Sequence, residues 1–261
     1  MNQFLVRFNR LTLKMNVSVV IVAAGKGERL GMNQNGSYRG AKKQFLPLSG
    51  KPILHWTLET FQRVQKIKEI ILILPKEDIV REEKTIKKKF MKVKEIIPGG
   101  KIRQESVFNG LKKVSPNFSL VAIHDGVRPL VSKELIERTL QVAKKYGSAV
   151  AALPVKETVK MVSPGNIVQA TLPREKIWAV QTPQVFHREI IIRAHQQAKK
   201  DRFIGTDDAQ LVERIGYKVK LVPGEETNIK ITTREDLLFA ETILRRRFKQ
   251  DNNCDSDKII R

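Results

Sequence analysis

The chain has 261 residues, 41% of them hydrophobic, and a formal net charge of +22 at pH 7. That length buries a full core in one domain, or in one domain with an excursion, while a lone Cys254 in a polar tail excludes a disulfide framework or a cysteine metal site. No apolar run reaches membrane-spanning length, and the excess charge permits nucleic acid, an acidic membrane surface or a phosphorylated substrate as partner, although most such charges are solvated faces.

Residues 1–16, MNQFLVRFNRLTLKMN, carry Arg7, Arg10 and Lys14 and no acid. They read as a disordered extension: either an organelle-type presequence or the result of a start assigned too early, with Met15 the true one. Residues 17–23 are β-branched and uninterrupted, which suits a strand buried on both faces of a parallel sheet. Gly25, Gly27 and Gly31 follow, with Lys26, Arg29, Lys42 and Lys43 around and beyond them. Strand, glycine turn and cations together form a site for a polyanion, most simply nucleotide phosphates. The alternative is a tight strand-to-helix turn with solvated charges. The stretch is not a Walker A loop, since no Gly-Lys-Ser/Thr follows. Nor is it a dinucleotide fingerprint: the third glycine comes one residue late, and no acid stands about 20 residues on.

Pro52 opens a helix with Ile53, Trp56, Phe61 and Val64 at near-helical spacing. Residues 69–74 are a second buried strand. Asp78 is expected to cap a charged helix running to 89. Residues 93–97 form a third strand, closed by Pro98-Gly99-Gly100, and a helix follows over 103–114. A fourth strand, 120–123, ends at His124-Asp125. Ser132 caps a helix over 133–146, and Gly147 ends it. Residues 148–153 are a fifth strand. Strands alternating with helices indicate an α/β domain with a mostly parallel sheet. The rhythm breaks at 155–170, which reads as a hairpin with a turn at Ser163-Pro164-Gly165-Asn166. A two-stranded excursion has little core of its own, so a second subunit is its expected cover. Helices return over 188–200 and 206–215, then a strand over 218–222. A last helix, 234–247, has Thr233 as cap and Asp236 as capping-box acid. The tail, 249–261, is expected to fray.

In open parallel sheets ligands bind beyond the carboxyl ends of the strands. There the sequence places Ala23, Ala24 and Gly25, then Gly99, Gly100 and Arg103, then Asp125 and Arg128. Thr158, Lys160 and Arg174 lie in the hairpin, and Asn228 and Lys230 follow the last strand. Repetition of cations at one sheet edge weakens their reading as separate surface charges. Asp125 is the best single carboxylate for Mg²⁺, an ion that takes one or two carboxylates and completes its shell with phosphates and water.

Eight pieces in order carry a resemblance: AAGKGERLG, KKQFLPLSGKPIL, PGGKIRQESV, HDGVRPL, PVKETVK, TLPREKIWAVQTPQVF, GTDDA and NIKIT. From about Val17 to Leu244 the chain resembles the 2-C-methyl-D-erythritol 4-phosphate cytidylyltransferase family. The resemblance implies a Rossmann-like nucleotidyltransferase domain over 17–248, with an inserted β-hairpin arm at about 155–175 exchanged in a homodimer. It implies transfer of CMP from CTP to methylerythritol phosphate, with Mg²⁺, in the cytoplasm. By position it assigns Arg29, Lys43 and Lys230 to the triphosphate and transition state. Ala23, Ala24 and Gly25 would hold nucleotide, and Gly100, Lys101, Arg103 and Ser106 would surround the cytosine. Asp125 would hold the metal. Arg128, Thr158, Arg174, Thr182 and Thr206 would bind the methylerythritol phosphate, with Thr158 and Arg174 coming from the partner's arm. Lys43 is preferred to Lys42 because it adjoins Gln44. Two departures stand out: Gly126-Val127 replaces a pair of alanines, and the polar loop before Lys43 is long enough to act as a lid. Alternatives are a ribitol 5-phosphate cytidylyltransferase and a nucleic-acid-binding module. The second is disfavoured by an aromatic content of 6% and by the lack of a basic stripe with interleaved aromatics.

Overall fold

A computed structural model describes residues 16–25 and 42–256, with side chains up to residue 249. Arg29, the loop expected to form a lid and residues 1–15 lie outside the described residues. The first strand, β1 (Val17–Val22), runs down the middle of a seven-stranded sheet. Beside it lie β4 (Ile67–Leu74) and then β5 (Val93–Pro98) on one side, and β6 (Leu120–Asp125) on the other, all parallel. Beyond β6 come β10 (Trp178–His187), β7 (Ser148–Pro154) and β11 (Lys220–Pro223). Only β10 runs antiparallel to its neighbours in this sheet.

Both faces of the sheet are covered, so β1 is apolar without alternation. Val17, Val19 and Ile21 face α1 (Ile53–Arg63), α2 (Lys76–Lys89) and α4 (Lys133–Tyr146) through Leu58, Phe61, Ile86 and Leu140. Val20 faces the other way, towards α3 (Arg103–Leu111), α5 (Arg188–Lys200) and α6 (Asp208–Arg214), through Val107, Ile191 and Leu211. A third cluster packs α7 (Arg234–Ser256) against a small hairpin, β2 (Pro47–Leu48) and β3 (Lys51–Pro52), through Leu48, Ile231 and Leu244.

Several local expectations meet the structure directly. The Ser132 hydroxyl accepts from the Leu135 amide at 2.9 Å, and Gly147 ends α4 with φ +87°. Asp236 accepts from the Thr233 amide while Thr233 Oγ1 accepts from the Asp236 amide, a complete capping box. Four readings are corrected. Strand β10 was not expected, because Gln181, Thr182, Pro183 and Gln184 break its apolar run; Pro183 sits where the register with β7 shifts. Asp78 does not cap α2, which begins at Lys76; it lies in the first turn, buried, bonded to Lys42 at 2.6 Å. Helix α6 begins at Asp208 with Asp207 as its cap, not at 206. Helix α7 continues to Ser256, where it was expected to end at 247.

The hairpin is present as β8 (Lys160–Ser163) and β9 (Ile167–Thr171), a separate two-stranded sheet. Val155 and Leu172 are tied at its base to Ile177 and Val159.

Candidate active site

The carboxyl ends of β1, β5 and β6 meet at one edge of the sheet, and close approaches shape it. A Cβ built on Gly99 would fall 2.4 Å from the Ala24 Cβ, and one on Gly126 2.8 Å from the Ala23 Cβ. Glycine at 126 therefore lets the turn after β6 lie flat on the end of β1, where Gly126 N–H reaches the Val22 carbonyl at 2.8 Å.

The cavity so formed has a volume of about 530 Å³. Its floor is backbone at Ala23, Ala24, Gly25 and Gly100; its walls carry Lys43, Lys101, Arg103, Ser106 and Lys230. Asp125 is the lone carboxylate among the described lining residues, against four cations. Gly100 N–H donates to Ser106 Oγ at 3.0 Å, which turns the loop over the start of α3. The smaller cavity, between α3 and α5, is lined by Phe108, His195 and Phe203 and lacks both the glycine floor and the carboxylate.

Asp125 organises the cations. Its Oδ1 accepts from Arg103 Nε at 3.1 Å, and its Oδ2 lies 2.8 Å from Lys230 Nζ and 3.7 Å from Arg128 Nε. Burial pushes the Asp125 carboxyl up, but Arg103, Lys230 and Arg128 more than reverse this and hold it well below the usual carboxylate range. Arg103 is gripped from behind by Asp208, whose Oδ2 accepts from Nη1 at 2.8 Å and whose Oδ1 meets His195 Nε2 at 3.1 Å. Among the described residues no three His, Cys, Asp or Glu side chains converge on one point.

The structure thus gathers ten of the expected residues around one cavity: Ala23, Ala24, Gly25, Lys43, Gly100, Lys101, Arg103, Ser106, Asp125 and Lys230. Arg128 stands beside it, through Asp125. Thr182 does not line it; its hydroxyl is buried beneath Asp125, accepting from the Asp125 amide at 3.1 Å. Thr206 is exposed, bonded to Gln210, and does not line the cavity. Thr158 and Arg174 are exposed on the arm and its base, with Arg174 Nη1 on the Lys156 carbonyl at 3.1 Å; neither reaches this chain's own cavity. Sequence reasoning missed Gln44 as a lining residue and Asp208 as the anchor of Arg103. The second acid of GTDDA was the available signal, but nothing local pairs residues 105 positions apart.

A family model described as 2-C-methyl-D-erythritol 4-phosphate cytidylyltransferase matches residues 17–246. The chain belongs to that family. A cytidylyltransferase of this name from Caldanaerobacter subterraneus subsp. tengcongensis is 44% identical over 234 residues, 89% of this chain and 100% of the relative. One from Halalkalibacterium halodurans is 46% identical over 231 residues, covering 88% and 97%. A crystal structure titled 4-diphosphocytidyl-2C-methyl-D-erythritolsynthase, from Anaerococcus prevotii, superposes with a TM-score of 0.78 at 34% identity, covering 89% of this chain and 97% of that one. Among the described residues no helix is long and apolar enough to cross a membrane.

Proposed function

We infer that this chain transfers CMP from CTP to 2-C-methyl-D-erythritol 4-phosphate, releasing diphosphate, as a step of isoprenoid biosynthesis. The observation that carries the reading is the set of four cations and a glycine floor around Asp125, the one carboxylate among the described lining residues. An oxygen of the methylerythritol phosphate attacks the α-phosphorus of CTP. A new P–O bond forms, the bond from the α-phosphorus to the bridging oxygen breaks, and that oxygen leaves with the diphosphate. No protein nucleophile is needed. Alignment is needed, along with positive charge where the α-phosphate gains a fifth oxygen.

Lys43 and Lys230 are suited to that charge, since both line the cavity. Arg29 joins them in this reading. Backbone N–H groups at Ala24 and Gly25 suit phosphate oxygens, while Gly100, Lys101, Arg103 and Ser106 suit the base and ribose. Asp125 would hold Mg²⁺. One carboxylate with both oxygens already on cations fits an ion that arrives with the triphosphate rather than a resident one. Such an ion supplies charge neutralisation and orients the phosphates. Arg128, with Thr158 and Arg174 from a partner's arm, would bind the methylerythritol phosphate. Met161, Val162, Ile167 and Val168 are exposed on that arm, which supports a homodimer in which the arm packs on the second subunit. A cytoplasmic setting belongs to the same reading. The test is diphosphate release from CTP with methylerythritol phosphate and, separately, ribitol 5-phosphate, each with Mg²⁺ and with EDTA. Turnover with ribitol phosphate alone would overturn the substrate, and full activity in EDTA the metal.

A further inference from the structure

Beneath the cavity four residues close a ring of hydrogen bonds. His124 is fully buried. Its Nδ1 lies 3.0 Å from Thr182 Oγ1 and its Nε2 3.2 Å from the Arg128 carbonyl. Arg128 Nη1 donates to the Asn228 carbonyl at 2.8 Å, and Asn228 Nδ2 donates to the Thr182 carbonyl at 2.8 Å. The ring has returned to Thr182.

The direction of each bond follows from chemistry. A carbonyl only accepts, so the proton of His124 is on Nε2. Nδ1 then offers a lone pair, and Thr182 Oγ1 donates to it. That leaves the Thr182 oxygen free to accept the Asp125 amide, as it does at 3.1 Å. One imidazole thus sets the orientation of a hydroxyl, a main-chain amide and a main-chain carbonyl.

Each segment tied by the ring carries a group of the site. Asp125 follows His124 directly. Arg128 is a member of the ring, and its Nε approaches Asp125 Oδ2. Lys230 lies two residues after Asn228, and its Nζ meets the same Oδ2 at 2.8 Å. We propose that His124 and Asn228 are positioning residues, which through this ring fix Asp125, Arg128 and Lys230 relative to one another so that two phosphates meet in line. The proposal rests on the transfer reading above. Packing alone would not call for a polar ring here, because the Phe61 ring lies 4.7 Å from the imidazole and an aromatic side chain would fill the same space. A satisfied buried network adds direction and rigidity that apolar packing lacks.

Four variants separate the bonds. His124→Asn keeps an acceptor where Nδ1 sits and loses the bond to Arg128. His124→Gln places a donor near the Nε2 position and loses the bond to Thr182. His124→Phe cuts both, and Thr182→Val removes the hydroxyl at nearly constant volume. For each, kcat, both KM values, Tm and the calorimetric affinity for CTP are measured. His124→Phe and Thr182→Val should lower kcat about 100-fold, the scale of a misplaced reacting group, with CTP affinity little changed. The Asn and Gln variants should each recover part of that loss. The double variant His124→Phe/Thr182→Val should be no worse than His124→Phe, since both break one ring. A kcat equal to wild type in Thr182→Val overturns the proposal, and this variant decides if His124→Phe does not fold. So does an equal loss in the Phe, Asn and Gln variants that follows Tm alone. Wild-type protein that releases no diphosphate overturns the transfer reading instead, and is recognised before any variant is compared.

Discussion

Two adjacent lysines behave differently because of what stands opposite them. Lys42 is taken up by Glu77 and Asp78 at the start of α2, whereas Lys43 lines the cavity. Lys43→Ala should therefore lower kcat about 100- to 1000-fold, or about 2.7–4 kcal/mol, as expected for a contact strengthened in the transition state. KM for CTP should change much less, as read by steady-state diphosphate release. Lys42→Ala should spare kcat. His124 gives a second test at this scale. Burial pushes its imidazole down to about 3, so it stays neutral in the folded chain, while the unfolded chain titrates near 6.5. The unfolded state then binds more protons, and stability falls as pH drops from 6.5 towards 3, by up to about 1.4 kcal/mol per unit. Urea unfolding at pH 7, 6 and 5 should show this slope in wild type, and a flatter one in His124→Asn, which has no such proton to gain. The residues that line the cavity were legible at this scale because each motif is local. The ties of Arg103 to Asp125 and Asp208, across 22 and 105 positions, were not.

The caps at Ser132 and Thr233 were legible, because a cap is a contact between residues three apart, whereas the starts of α2 and α6 were not. Ser132→Ala should cost α4 about 1 kcal/mol of stability in denaturant unfolding. Strand β10 was the least legible. Its centre is polar because Thr182 and Gln184 serve the residues beneath the site and at the start of α6, where Gln184 meets Asp207 at 2.8 Å. Tertiary pairing with β6 and β7 on both sides overrides the local pattern. Gly110 in α3 shows what element packing requires of one residue. A Cβ there would fall 2.6 Å from Val20 Cγ1 and 3.1 Å from Ile73 Cδ1. Gly110→Ala should destabilise the protein by about 1–3 kcal/mol despite alanine's better helix propensity, because the core cannot take the methyl without moving α3. Thermal unfolding checks this, and a raised Tm would refute it.

For the whole molecule the arm is the feature that its own chain does not explain. It carries Arg174 at its base, yet that residue does not line this chain's cavity, and the β8–β9 sheet joins no other strand among the described residues. If arms are exchanged, mixing the inactive variants Lys43→Ala and Arg174→Ala should restore activity. Each mixed dimer then has one site with both lesions and one with neither. No recovery after subunit exchange, verified by mass, would exclude the exchange. The sequence by itself determined the α/β class, the edge of the sheet that holds the site and the cations that fill it. Those depend on apolar runs, caps and motifs, in which cause and consequence lie within a few residues. Tertiary structure alone decided that β10 is an inner strand, that Thr182 lies under the site, and that Asp125 is the point where three cations meet. These depend on groups brought together from distant parts of the chain, whose hydrogen bonds and charges exist only once the core has formed.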